Sequence, residues 1–260
     1  MSTMATAQTL LLEDCLHQLK LPTILAQYAK AAQEAAAGSL SYEHYLLLLA
    51  EQELAQRDEN RQKRRLTEAK FPVIKTLDQY DFSLMPQLNR SLILELAQGR
   101  YLAAHENILL AGDIGTGKTH IAISLAVAAC QQSHRVRFFT AAGLTNDLLE
   151  AQAAHRLTRV EANLLRLDLI ILDEVGFVPF TKAGADLLFS CLAALHEHVS
   201  LLVTTTVPFA QWAALFGGDQ RLTAPLLDRI TFHAHVLQFS GSSFRLRHSL
   251  THQEEDRRHQ

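Results

Sequence analysis

Eight consecutive residues, Gly112-Asp113-Ile114-Gly115-Thr116-Gly117-Lys118-Thr119, carry the spacing G-x-x-x-x-G-K-T. An apolar run at 107–111 precedes them and an apolar-periodic run at 121–130 follows, so they occupy a strand-to-helix turn. In that context the spacing is a phosphate-binding loop. Glycines let the backbone curl round phosphate groups and turn several N–H groups inward. The helix opening near Lys118 adds the positive end of its dipole. Lys118 places a compact cation on the β- and γ-phosphates, and the Thr119 hydroxyl can ligate Mg²⁺. The implied ligand is a nucleoside triphosphate.

A second cluster completes a hydrolytic site. Leu169-Ile170-Ile171-Leu172 is a short apolar run of the kind buried on both faces of a parallel sheet, and it is followed by Asp173-Glu174. Carboxylates at the C-terminal end of such a strand face the crevice where α/β ligands bind. Asp173 can hold the Mg²⁺ jointly with Thr119, and Glu174 can orient or deprotonate an attacking water, which points to ATP hydrolysis. Residues 201–206 form another apolar run that ends in three threonines near the same crevice. Arg229, after Leu226-Leu227-Asp228, is of interest as an arginine finger reaching a neighbour's γ-phosphate.

The elements that must position these groups alternate. Strands are expected at 107–111, 135–140, 168–172, 200–205 and 236–239, with helices between them, the pattern of a parallel α/β sheet. Before them the first 70 residues read as a small helical domain. Residues 1–9 are small and polar and expected to fray, then helices run from Leu10 to Lys20, from Pro22 to Ala37 and from Tyr42 to about Ala69. Residues 71–85 have no clear period, and Pro86 is expected to open a helix capped by Gly99. On the third helix Arg57, Arg61, Arg64 and Arg65 share one face. Two readings stand: a solvated face laced with ion pairs, or a stripe that tracks DNA phosphates.

Composition narrows the class. Of 260 residues 48% are apolar and 20% charged, as in globular proteins, and the net charge of −3 leaves only a local patch for a polyanion. Leucine runs are too short to cross a bilayer, and the first residues do not read as a secretion signal. Three cysteines without a C-x-x-C pair suggest reduced thiols in a cytoplasmic protein. His233-x-His235 has a spacing a metal could use, but no cysteine or carboxylate cluster joins it, so packed or surface histidines are the better reading.

The assembled residues resemble the AAA+ ATPases of the IstB/DnaC group, and within it the IstB-like transposition helper proteins of insertion sequences. The marks are the basic helix ending Lys70-Phe71-Pro72, Lys75-Thr76-Leu77-Asp78-Gln79-Tyr80-Asp81-Phe82, and the loop ending Gly117-Lys118-Thr119-His120. Asp173-Glu174, Pro208-Phe209-Ala210-Gln211-Trp212, Arg221-Leu222-Thr223, Leu227-Asp228-Arg229 and Gly241-Ser242-Ser243-Phe244-Arg245 complete them. The resemblance implies an AAA+ P-loop core with a five-stranded parallel sheet at 73–250, an all-α domain at 1–72 for DNA binding and assembly, and a polar tail at 251–260. It further implies ATP at contacts between identical subunits, binding to double-stranded DNA, a partner transposase of the IstA type, and no membrane. The family's nucleotide-binding loop extends to His120, its arginine finger falls on Arg229, and its polar sensor, usually asparagine, falls on Thr206. Asp113-Ile114 stands where prolines are common, and a fixed negative charge close to phosphates is out of keeping unless Asp113 points outward, though Gly112, Asp113 and Ile114 are all counted in the nucleotide-binding loop. A replicative helicase loader of the DnaC type, a P-loop kinase and a nucleotide-gated scaffold remain as competing readings. The aligned Asp173-Glu174 disfavours the kinase.

Overall fold

The structure, a computed structural model, describes residues 2–177, 180–212, 220–241 and 243–244. The expected tail at 251–260, and Ser242 and Arg245, lie outside the described residues. By compactness the chain divides into Met1–Arg64 and Arg65–Gln260.

The first unit consists of α1 (Ser2–Gln18), α2 (Pro22–Ala37) and the part of α3 (Tyr42–Ala69) up to Arg64. α2 and α3 keep the bounds expected from the sequence. α1 begins at Ser2 rather than near Leu10: residues 2–9 contain no glycine or proline to interrupt a helix, although they carry no apolar stripe. Leu16, Ala35 and Leu49 are buried in this unit, together with one charge, Glu53, which is 3% exposed. Glu53 Oε2 accepts the amides of Thr23 (2.8 Å) and Ile24 (3.2 Å), so α3 caps the start of α2, where Leu21 offers no side-chain cap. Its Oε1 accepts Arg57 Nε at 2.8 Å, and Arg57 also donates to the Lys20 carbonyl. Burial alone would push the Glu53 carboxyl up, but Arg57 and the two amides outweigh it and hold the carboxyl below its ordinary range.

The second unit is built on five parallel strands in the order β2-β3-β4-β1-β5: β1 (Asn107–Gly112), β2 (Val136–Thr140), β3 (Leu169–Val175), β4 (Ser200–Thr205) and β5 (Ala234–Phe239). Successive side chains go to opposite faces. Ile108, Leu110, Leu169 and Ile171 join one core and Leu109, Ile170 and Leu172 the other. Helices cover both faces, which explains why the strands read as unbroken apolar runs. α6 (Lys118–Gln131) lies on the first face. On the second face lie α7 (Ala141–Ala153), α8 (Leu157–Leu164), α9 (Lys182–Leu195) and α10 (Gln220–Thr231). Among the described residues no helix is long and apolar enough to cross a membrane.

Several strand ends shift by one residue from the expectation, and three larger differences have a local cause. β3 continues through Asp173-Glu174 to Val175, because a bulge between Leu172 and Val175 lets pairing with β4 resume after the acidic pair. β5 begins two residues early, at Ala234 opposite Asn107. The helix expected from Pro86 starts only at Arg90 as α4 (Arg90–Leu96), where Asn89 supplies the cap by accepting the Leu92 amide at 3.0 Å. Gly99, at φ 76°, then turns the chain into α5 (Arg100–Ala103).

Candidate nucleotide site

β1 and β3 lie on either side of β4, so the phosphate-binding loop and the acidic pair approach each other across the end of β4. The loop leaves β1 and delivers Lys118 as the first residue of α6. Gly117 holds φ 93°, and a Cβ there would stand 2.6 Å from the Tyr80 ring, so glycine is needed both for the backbone and for that approach. Lys118 is buried, and its Nζ donates to the carbonyls of Gly112 (2.9 Å) and Asp113 (2.6 Å). The Thr116 hydroxyl donates to the Asp113 carbonyl at 2.7 Å, closing the turn.

Beneath the loop three elements meet. Thr119, on α6, donates from its hydroxyl to Asp173 Oδ1 at 2.9 Å, with Oδ2 at 3.2 Å. Thr204, at the end of β4, donates to the same Oδ1 at 2.5 Å. The Thr204 oxygen in turn accepts the Glu174 amide at 2.9 Å. That bond fixes the bulge, where Glu174 sits at φ 60°, a left-handed conformation that costs a non-glycine residue about 1 kcal/mol or more. The consequence is positional: Asp173 is buried, while its neighbour Glu174 is exposed and lines the cavity.

That cavity, of about 520 Å³, has the size of a small-molecule site. Residues 114–120 line it from below, with Glu174, Thr204 and Thr206 on the polar side and Tyr80, Leu84, Met85 and Phe244 among the apolar groups. Gly112 and Asp113 lie outside the lining, and Asp173 lies behind Thr119 and Thr204. Asp113 directs Oδ2 to the Gly241 amide at 3.0 Å, away from the lining. Thr206 is exposed at the rim.

Two contributors were not singled out from the sequence. The aperiodic stretch after α3 forms short 3-10 turns at Leu77–Gln79 and Phe82–Leu84 and becomes a wall of the cavity. Tyr80 donates its hydroxyl to the Thr116 carbonyl (3.1 Å) and packs edge-on against His120, whose Nε2 donates to the Thr76 carbonyl (3.1 Å). Burial, with Asp81 nearby, pushes the Tyr80 hydroxyl up to about 12, so it remains a donor. In the sequence this stretch stands out as a mark of the family resemblance, with no role attached to Tyr80. Thr204 is the other. It is buried near the end of β4, whereas Thr206 lies exposed just past the strand.

Arg229 is exposed on the last turn of α10 and lies outside the lining of its own chain's cavity. The neighbouring Ile230 carbonyl accepts Asn107 Nδ2 at 3.1 Å, while Asn107 Oδ1 accepts the Leu201 amide at 2.9 Å. The buried Asn107 therefore ties the end of α10 to β4. The four arginines of α3 divide. Arg57 is engaged by Glu53 and Lys20. Arg65, 15% exposed, donates to the Ser133 carbonyl (3.1 Å) and pairs with Glu68 (3.1 Å). Arg57, Arg61 and Arg64 are exposed, Arg61 loosely paired with Asp58 at 3.7 Å. His235 Nε2 meets Glu106 at 2.8 Å, and among the described residues no group of three or more His, Cys, Asp or Glu gathers as a metal site.

Comparison with known proteins places this geometry. Residues 14–252 match the family described as IstB-like ATP binding protein. An insertion sequence IS21 protein of Pseudomonas aeruginosa is 35% identical over 91% of this chain and 89% of its own length. An insertion sequence IS5376 protein of Geobacillus stearothermophilus is 30% identical over 93% and 96%. Among solved structures, the DnaC helicase loader shares the fold with a TM-score of 0.50 at 18% identity, over 68% of this chain and 99% of that one.

Proposed function

The chain belongs to the IstB-like ATP-binding protein family, and from that premise we propose that it is an ATP-hydrolysing, DNA-binding regulator of transposition. It self-assembles on target DNA and stimulates a partner transposase. In this reading residues 1–72 serve DNA binding and assembly, and 73–250 serve hydrolysis.

One observation carries the hydrolytic part: Thr119, Thr204 and Asp173 converge beneath the loop while Glu174 faces the cavity. Lys118 exchanges its two loop carbonyls for phosphate oxygens, a charge-assisted interaction stronger than the one it gives up. Thr119 Oγ1 and Asp173 are the groups that would hold Mg²⁺, and two protein oxygens suit an ion that keeps most of its water. Bound there, the ion would neutralise phosphate charge. Glu174 orients the attacking water and takes its proton. Thr206, at the rim, can donate a hydrogen bond to the γ-phosphate. Arg229 lies away from its own cavity, which supports service to the cavity of a neighbouring copy. On the DNA side, the stripe of Arg57, Arg61, Arg64 and Arg65 offers the phosphate contact, with the exposed Arg61 and Arg64 at its centre and Arg65 largely covered.

Mixing variants tests the shared site. Arg229→Ala should bind ATP normally and Lys118→Ala should bind it weakly, each hydrolysing little alone. Mixed together they should recover part of the wild-type rate, because one kind of interface pairs the two intact halves. No recovery at any ratio would exclude Arg229 acting between subunits.

A further inference from the structure

The negative charge of Asp113, one residue into a phosphate-binding loop, has a use the hydrolytic reading does not require. β5 lies beside β1 with Phe239 opposite Gly112, so the chain leaves β5 next to the start of the loop. There the Asp113 amide donates to the Phe239 carbonyl (2.9 Å), and Asp113 Oδ2 accepts the Gly241 amide (3.0 Å). Two residues along the loop, the Gly115 carbonyl accepts the Phe244 amide at 2.9 Å. Ser243 packs so closely that a Cβ on Gly115 would stand 2.1 Å from its Oγ. Gln87 donates to the Ser240 carbonyl from the other side. The stretch after β5 is thus pinned to the loop itself, and Phe244 enters the lining of the cavity with Tyr80, Leu84, Met85 and Ile114.

We propose that Asp113 docks the stretch after β5 so that Phe244 forms the base-side wall of the nucleotide cavity, which makes Phe244 a specificity-determining residue and Asp113 its positioning residue. The proposal rests on the nucleotide reading of the cavity. The triphosphate belongs to the glycine loop, Lys118 and Thr119. What is left for a flat, largely apolar heterocycle is the aromatic and aliphatic part of the lining, where burial and aromatic contact favour it. A carboxylate accepting a backbone amide makes a stronger clamp than a neutral acceptor. Base recognition is therefore built from three places in the sequence, 80–85, 114 and 244, held in register by the loop that binds the phosphates.

The test compares ATP with inorganic tripolyphosphate, which lacks base and ribose, by calorimetry on the full chain. Wild type should prefer ATP. Asp113→Ala and Phe244→Ala should each lower the ATP-to-tripolyphosphate affinity ratio about tenfold, the effect of losing one base–aromatic contact. Asp113→Asn keeps a neutral acceptor for the Gly241 amide, a weaker clamp than the carboxylate, so its ratio should fall between those of wild type and Asp113→Ala. Retained tripolyphosphate binding certifies that each variant is folded. An unchanged ratio in Asp113→Ala and Phe244→Ala overturns the proposal, as does an Asp113→Asn ratio as low as that of Asp113→Ala. Lys118→Ala should weaken both ligands alike, and if it weakens neither, the nucleotide reading fails first and takes the proposal with it.

Discussion

Two buried carboxylates, Glu53 in the helical unit and Asp173 in the sheet unit, are about equally inaccessible at 3% and 4% exposure, yet they are satisfied in opposite ways. Glu53 accepts a guanidinium and two backbone amides, partners that stay in place and balance its charge. Asp173 accepts, among the described residues, two hydroxyls, Thr119 and Thr204, neutral groups that can turn their oxygens toward a cation instead. A buried charge needs compensation. Where a cation and amides already provide it, the carboxylate is a finished piece of structure. Where hydroxyls alone do, the site accommodates an incoming metal. The difference lies in partner chemistry, since burial is the same.

The contrast can be broken from either side. Asp173→Ala should have the largest effect, cutting steady-state ATP hydrolysis about a thousandfold by removing a metal-holding group, with the melting of the helical unit unchanged. Glu53→Ala should do the reverse, costing the helical unit about 3 kcal/mol in denaturant unfolding while ATP affinity stays at the wild-type value. The Glu53 carboxyl is held below its ordinary value of 4.5, so its stabilisation is complete above that pH and is lost as pH falls below it toward the folded-state value. Circular dichroism melts should therefore show stability declining below about pH 4.5, and a Glu53→Gln chain should lack that contribution to the decline. The smallest effect belongs to the exposed arginines. Changing Arg61 and Arg64 to alanine should weaken duplex DNA binding irrespective of sequence and flatten the log–log salt slope by roughly one to two units per subunit. An unchanged slope would return both to a solvated helix face.

The parts of the molecule governed by local rules were legible in the sequence. The glycine loop, its flanking strand and helix, and the five parallel strands follow from spacing and periodicity, because both faces of the sheet are covered. Parts that depend on meetings between distant segments were not. Nothing in Leu201–Thr206 marks Thr204 as the residue that spans Asp173 and Glu174, because the strand order that puts β4 between β1 and β3 is a tertiary fact. The stretch at 71–85 has no period because it is shaped against the loop through Tyr80 and His120, and such packing leaves no repeat to read. The arginine stripe is legible in a different measure. Helical spacing shows which residues share a face, whereas only the fold shows that Arg57 is held by Glu53 while still half exposed and that Arg65 is held by the Ser133 carbonyl. The strand also outran its expected end at Leu172, since a bulge held by Thr204 cannot be read from one strand alone.

The most direct test of the hydrolytic account is Glu174→Gln, assayed in parallel for ATP binding by calorimetry and for phosphate release. Glu174 faces the cavity while Asp173 stays beneath it, so removing only the Glu174 charge should leave ATP affinity within about twofold and slow hydrolysis by about a hundredfold or more. Equal phosphate release by wild type and Glu174→Gln would contradict the account.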